Sequence, residues 1–218
     1  MEVISEFAPL GDKYPYGTVL FLEAVPGEDR IFSHWGGHLT GRENPTGISI
    51  DGTKNIIAYF PEIIFEENFS CQHVNDIPSE WDSFGVNDGA NWSVVDSNLA
   101  GGNNPELRFS YSPTFSGSYS SIESPLIDCS GYSWLELSFK HYVKDITGDG
   151  GYFLAVYLLS NGWNLLWEIS PTKDVGPETV IIDLSDFDGE ELSLVWDFYG
   201  DSYEIDYWYL DDILLTGY

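Results

Sequence analysis

The chain has 218 residues, 43% hydrophobic and 16% aromatic, enough apolar surface for one large β domain or two small ones with real cores. Eight Lys and Arg stand against 36 Asp and Glu, a formal net charge of -28, which excludes a nucleic-acid-binding face and disfavours anionic membranes. Turn residues (22 Gly, 11 Pro) recur at short intervals and no window holds a helical apolar period, so an all-β fold of many short strands is expected.

Taken in order, residues 1–6 have neither the basic nor the apolar region of a signal peptide. Met1 reads as the start of an excised fragment, with a native signal and other domains of the same parent chain outside it. No stretch approaches the roughly 18 apolar residues of a membrane span. Strand-length runs lie at 16–26, 32–37, 44–50 and 55–60, giving three or four antiparallel strands. Phe60-Pro61-Glu62 marks a boundary between domains 1–62 and 63–218. The first holds 9 acids and 4 bases, the second 27 and 4.

The second domain opens with a strand at 63–69, followed by a polar, Gly- and Asn-rich stretch to Gly102. Alternating runs follow at 105–111 and 134–142, the latter preceded by 124–128, and then at 152–159, 163–169, 179–184, 192–198 and 207–215. Eight or nine strands at this spacing predict an antiparallel jelly-roll sandwich.

Several residues are candidates for chemistry. Asp211-Asp212 ends an aromatic strand and precedes an apolar one; with so few bases available, calcium is the natural partner of such a pair. Asp145 and Asp149, in the loop Asp-Ile-Thr-Gly-Asp-Gly-Gly, form a second oxygen-rich turn without EF-hand spacing. Trp163, Trp167, Tyr199, Tyr203 and Trp208 are candidates for stacking on sugar rings, although most of the eight Trp are expected to serve core or edge packing. Cys71 and Cys129 make one disulfide or two buried thiols. The sequons at Asn68 and Asn91 matter only if the source glycosylates. Arg108 is expected to pair with an acid. His34 and His38 flank Trp35-Gly36-Gly37 and read as a surface turn before a transition-metal pair. No Gly-x-Ser-x-Gly elbow accompanies the four histidines, and no motif singles out two of the many carboxylates, so the chain is not expected to be an enzyme.

Two resemblances sharpen these expectations. The motifs Gly17-Thr18-Val19 through Pro26, Phe32-x-x-Trp35-Gly36-Gly37, Asn44-Pro45 and Ile56–Phe60 resemble the divergent B-repeat of internalin-type surface proteins over about 14–60, which implies a small β-grasp-like domain. That family's usual first strand is missing or altered near residues 1–12. Glu67-Asn68-Phe69, Ile77-Pro78-x-x-Trp81, Asn91-Trp92, Pro105–Phe109, Ser124–Asp128 and Tyr209-Leu210-Asp211-Asp212-Ile213 resemble the MAM-like, cleaved-adhesin and "choice-of-anchor" jelly rolls of secreted bacterial proteins. The resemblance implies structural calcium between the first and last strands, placing Glu67 with Asp211 or Asp212, and strand pairing that brings Cys71 toward Cys129. It implies an extracellular or cell-surface, non-catalytic adhesion or binding module whose partner is a glycan or a surface protein. The alternative is an accessory carbohydrate-binding module of a secreted hydrolase.

Overall fold

The structure, a computed structural model, describes residues 2–4, 13–70 and 72–218. Strand makes up 51% and helix 5%, so the all-β expectation holds. Two compact units form, residues 1–63 and 64–218.

The first unit has strands β1 (Glu2–Ile4), β2 (Val19–Glu23), β3 (His34–Gly37), β4 (Thr46–Ser49) and β5 (Ile56–Tyr59), arranged as a β1–β2–β4 sheet and a β3–β5 ribbon. A strand thus forms within residues 1–12, pairing β1 with β2. Alternation along β2 turns Leu20 and Leu22 inward against Trp35 and Ile48, and leaves Val19 and Phe21 exposed. Two side chains lock the loops onto this small core: the Trp35 indole donates to the Glu43 carbonyl at 2.8 Å, and the Asn44 amide bonds both Ala24 main-chain groups.

The chain passes into the second unit along β6 (Glu62–Glu67), whose residues from Ile64 on belong to it, and continues through β7 (Asp82–Gly85), β8 (Trp92–Val95), β9 (Glu106–Ser110), β10 (Ser118–Glu123), β11 (Ile127–Asp128), β12 (Glu136–Asp145), β13 (Tyr152–Leu159), β14 (Trp163–Ile169), β15 (Val175–Asp183), β16 (Glu191–Gly200) and β17 (Ile205–Gly217). One sheet runs β14–β13–β16–β10–β7 with β11 also on β16; the other runs β15–β12–β17–β9–β8 with β6 also on β17. These two antiparallel sheets are the expected jelly-roll sandwich. The polar stretch before Gly102, expected as loop, holds β7 and β8. In β8, Trp-Ser-Val-Val, Trp92 and Val94 alternate into the core, a pattern too short to stand out among Gly and Asn.

Inward-facing side chains of both sheets interdigitate. Phe109 stacks on Phe198 at 4.5 Å, Phe139 meets Trp196 edge-on at 5.9 Å, and Trp208 lies 5.8 Å from Trp92. Rings of this size dominate the burial, and tilted or edge-on pairing adds about 0.5–1.5 kcal/mol per pair.

Trp208→Ala is therefore expected to cost roughly 3–5 kcal/mol in denaturant unfolding. Leu126→Ala, at 69% exposure, should change stability by less than about 0.5 kcal/mol.

Candidate functional site

β16 faces two ways. Leu192, Leu194, Trp196 and Phe198 point into the core, so Ser193, Val195, Asp197 and Tyr199 point outward. Registration with the neighbouring strands arranges the outer face in rows. One row is aromatic: Phe153 of β13, Tyr199 of β16 and Tyr119 of β10, which are 41%, 50% and 45% exposed. The next row runs Glu168 of β14, Ala155, Asp197, Ser121 and Phe84 of β7. A third runs Leu165, Tyr157, Val195, Glu123 and Asp82. The strands carrying adjacent residues of a row lie about 4.7–4.9 Å apart.

The face is a groove. Phe84 and Trp163 belong to opposite edge strands, yet their rings meet at 6.0 Å, and Trp163 also packs edge-on to Tyr157 at 5.5 Å. The sheet curls enough for its edges to meet above the middle strands. Val195, outward by register, is fully buried beneath them. Two adjoining cavities result. One of about 380 Å³ is lined by Phe84, Tyr119, Ser121, Tyr157, Trp163, Asp197 and Tyr199. The other, about 350 Å³, is lined by Phe153, Ala155, Tyr157, Glu168, Asp197 and Tyr199.

Asp197 sits at the junction of the two cavities. Its carboxylate accepts a hydrogen bond from Ser121 Oγ, but burial outweighs that bond and pushes its carboxyl up to about 6. The Tyr157 hydroxyl is held above its usual range by burial, then by Asp197, then by Glu168. No Lys, Arg or His lines either cavity.

Of the five aromatic candidates read from the sequence, the structure brings only Trp163 and Tyr199 to this groove. Trp208 is fully buried. Counting from Trp163, Trp167 should share its face; a bulge opposite Val156 and Tyr157 inverts the parity and turns Trp167 against Phe139 and Trp208. Tyr203 is exposed in a short turn, donating to Asp201 at 2.6 Å. Phe84, Tyr119, Phe153, Tyr157, Asp197 and Glu168 were missed. Tyr157, Asp197 and Phe153 lay inside predicted strands, but which side they face depends on pairing that one sequence does not reveal.

The expected metal ligands are dispersed in their bonding. Asp211 is fully buried; Oδ1 accepts from the Asp212 amide at 2.8 Å and Oδ2 has no partner, while burial pushes its carboxyl up to about 7. Asp212, at φ 45, accepts from Lys140 Nζ at 2.7 Å. Glu67 accepts from the Phe69 amide at 2.6 Å and from Gln72, and burial raises its carboxyl. Asp145 closes its own turn, accepting from the Gly148 amide and the Tyr152 hydroxyl, and Asp149 lies in that turn. Among the described residues no three His, Cys, Asp or Glu side chains group to hold a metal. Asn91 is buried with its amide donating to Ser110 and Pro113 carbonyls, so it offers no glycosylation site. Arg108 lies 4.9 Å over the Tyr207 ring. Cys129 is a buried thiol pushed up to about 11 by burial, then by Asp128; Cys71, and with it the pairing, lies outside the described residues.

No family model and no curated protein matches the chain. Among solved structures it is similar to the K1 and K3 cleaved adhesin domains of Lys-gingipain from Porphyromonas gingivalis W83. The TM-scores are 0.52 and 0.50 and the identities 18% and 17%; the matches cover 71% of this chain and 98% and 99% of those. At such identity the likeness establishes the fold.

A pH dependence follows from Asp197. With the folded carboxyl raised from 3.8 to about 6, the unfolded chain loses this proton first, so stability falls as pH rises between about 4 and about 6. Asp197→Asn should raise stability at pH 8 by roughly 1–3 kcal/mol and much less at pH 4, as measured by urea unfolding at both pH values. Equal effects at the two values would contradict the assignment.

Proposed function

We propose that the chain is a non-catalytic module of a surface or secreted protein that binds a glycan in the groove over β13 and β16. The observation that carries this reading is the exposed row Phe153–Tyr199–Tyr119 beside the row holding Asp197 and Ser121. Pyranose faces present C–H groups that pack on aromatic rings, while carboxylates and hydroxyls take up the sugar hydroxyls. An aromatic platform of this kind separates a glycan binder from a plain spacer. Asp197 is hydrogen-bonded to Ser121 in an open groove and no nucleophile elbow accompanies it, which supports binding over turnover.

Tyr199→Ala should weaken glycan binding by roughly ten- to thirty-fold, since covering one ring face contributes about 1.5–2 kcal/mol. A glycan array followed by calorimetry, with Trp208→Ala as the stability control, tests this. An unchanged affinity in Tyr199→Ala removes the groove from the reading. Turnover on a hydrolase substrate panel that vanishes in Asp197→Asn or Glu168→Gln removes the non-catalytic part.

We also propose structural calcium at Asp211. The supporting observation is the fully buried, unpartnered Oδ2, pressed so closely by the loop that a Cβ at Gly102 would fall 1.9 Å from it. Asp211 would hold the ion together with backbone oxygens of that loop. Asp212 and Glu67 would each first have to release present partners. At free calcium a hundredfold above Kd the gain is about 2.7 kcal/mol. Melting curves in chelator and in excess calcium should then differ by several degrees in the wild type and coincide in Asp211→Asn. Coincidence in the wild type as well excludes the ion.

A further inference from the structure

The two cavities share Tyr157, Asp197 and Tyr199 and differ at their ends. The first ends in the Trp163–Phe84 arch and Tyr119; the second ends in Phe153, Ala155 and Glu168. In the second, Ala155 pairs with Asp197 on one side and Glu168 on the other. The smallest side chain of the lining thus lies between two carboxylates. Strand spacing sets their Cα atoms about 9.5 Å apart, which leaves room for one small group that both carboxylates reach. That both act at one place is already visible at the Tyr157 hydroxyl, where each adds to the effect of burial.

Among the described residues, no Lys, Arg or His lines the cavity that holds this negative pair. The strands of the groove sheet, β7, β10, β11, β13, β14 and β16, contain no Lys, Arg or His, and carry Asp82, Glu123, Asp128, Glu168, Glu191 and Asp197. The cations of this unit lie elsewhere: Arg108, Lys140 and Lys144 on the opposite sheet and Lys173 in a loop. Three rings, Phe153, Tyr157 and Tyr199, complete the lining and present π faces or hydroxyls to whatever enters. Carboxylates and rings together, with no competing cation, suit a positive charge and repel a uronate or sulfate.

We propose that this second cavity is an ammonium subsite, and that the glycan bound along the groove carries an amino sugar whose free 2-ammonium group sits over Ala155 between Asp197 and Glu168. The proposal rests on the glycan reading and narrows it to polycationic glycans built on 2-amino-2-deoxyhexose. A sugar amine fits better than a peptide lysine. β13 is hydrogen-bonded on both sides, to β14 and β16, and β16 to β13 and β10. Their main-chain groups are therefore spent in the sheet, and an extended peptide finds only side chains to bind.

The test is calorimetry on the whole chain with three β-1,4-linked tetrasaccharides of equal length: glucosamine, N-acetylglucosamine and glucose. The glucosamine tetramer is expected to bind at least about ten-fold tighter than the other two, and added salt should narrow the gap, because a charge-assisted contact is at stake. Glu168→Gln, a change at an exposed residue, should remove most of the preference while leaving the neutral tetramers unchanged; Asp197→Asn should also narrow the preference, but with weaker binding of the neutral tetramers, because its carboxylate serves the whole groove. Equal or tighter binding of the acetylated or neutral tetramer overturns the ammonium subsite and leaves the glycan reading standing. Failure of all three, together with a blank glycan array, overturns both. A lysine-rich peptide that binds and is lost in Glu168→Gln, with no binding of the glucosamine tetramer, overturns the sugar in favour of a protein amine.

Discussion

Every outward residue of the groove depends on one constraint, that β16 is hydrogen-bonded along both edges. Its ladder runs with β13 on one side and with β10 and β11 on the other. A strand held on both sides cannot rotate or slip without inverting all its side chains. Trp196 and Phe198 bury too much apolar surface to leave the core, so Asp197 and Tyr199 are forced outward. Asp197 is raised by burial because the hydrophobic set on the same strand fixes where it must stand. The aromatic row and the carboxylate row are the outer image of the packed interior.

The sandwich separates its charges by sheet. On the β12–β17 side the bases are matched locally: Lys140 with Asp212, Lys144 with Asp174, and Arg108 over Tyr207. His141 is fully buried there and held neutral by desolvation, which outweighs Glu178 beside it. Loop 96–105 is fastened onto that sheet by Glu106, whose carboxylate accepts from Ser97 Oγ and the Leu99 and Ala100 amides at 2.5–2.7 Å. With its few cations used in this way, the unit leaves the groove sheet wholly acidic. A formal charge of -28 is therefore compatible with a compact fold because repulsion is concentrated on open faces, where water and salt screen it.

Much of this architecture was legible in the sequence, and the reason is strand length. β12, β13, β14, β16 and β17 are seven to thirteen residues long and carry sustained alternation or unbroken apolar runs, so their existence and type could be read directly. β7, β8 and β10 escaped because Asp-Ser-Phe-Gly, Trp-Ser-Val-Val and Ser-Tyr-Ser-Ser-Ile-Glu are short or dominated by serine, and only tertiary pairing makes them strands. The groove was half legible. Aromatic surplus pointed to Trp163 and Tyr199, but the sidedness of Trp167 turned on one bulge, and Asp197 was indistinguishable from the other acids until register set it opposite Ser121 and Ala155. Asp211 was conspicuous as half of a pair; its burial depends on the left-handed Asp212 beside it, a backbone feature with no sequence signature.

The adjacency of β6 and β17 has a mechanical side. Ile64 lies against Gly217, so the chain enters and leaves the sandwich at nearly the same point, on the sheet that does not form the groove. Tension drawn along the polypeptide would be borne first by the β6–β17 seam at that end. β13 and β16, in the opposite layer, would feel it only after that seam had parted. The face over β13 and β16 would keep its shape under such a load until the β6–β17 seam had opened.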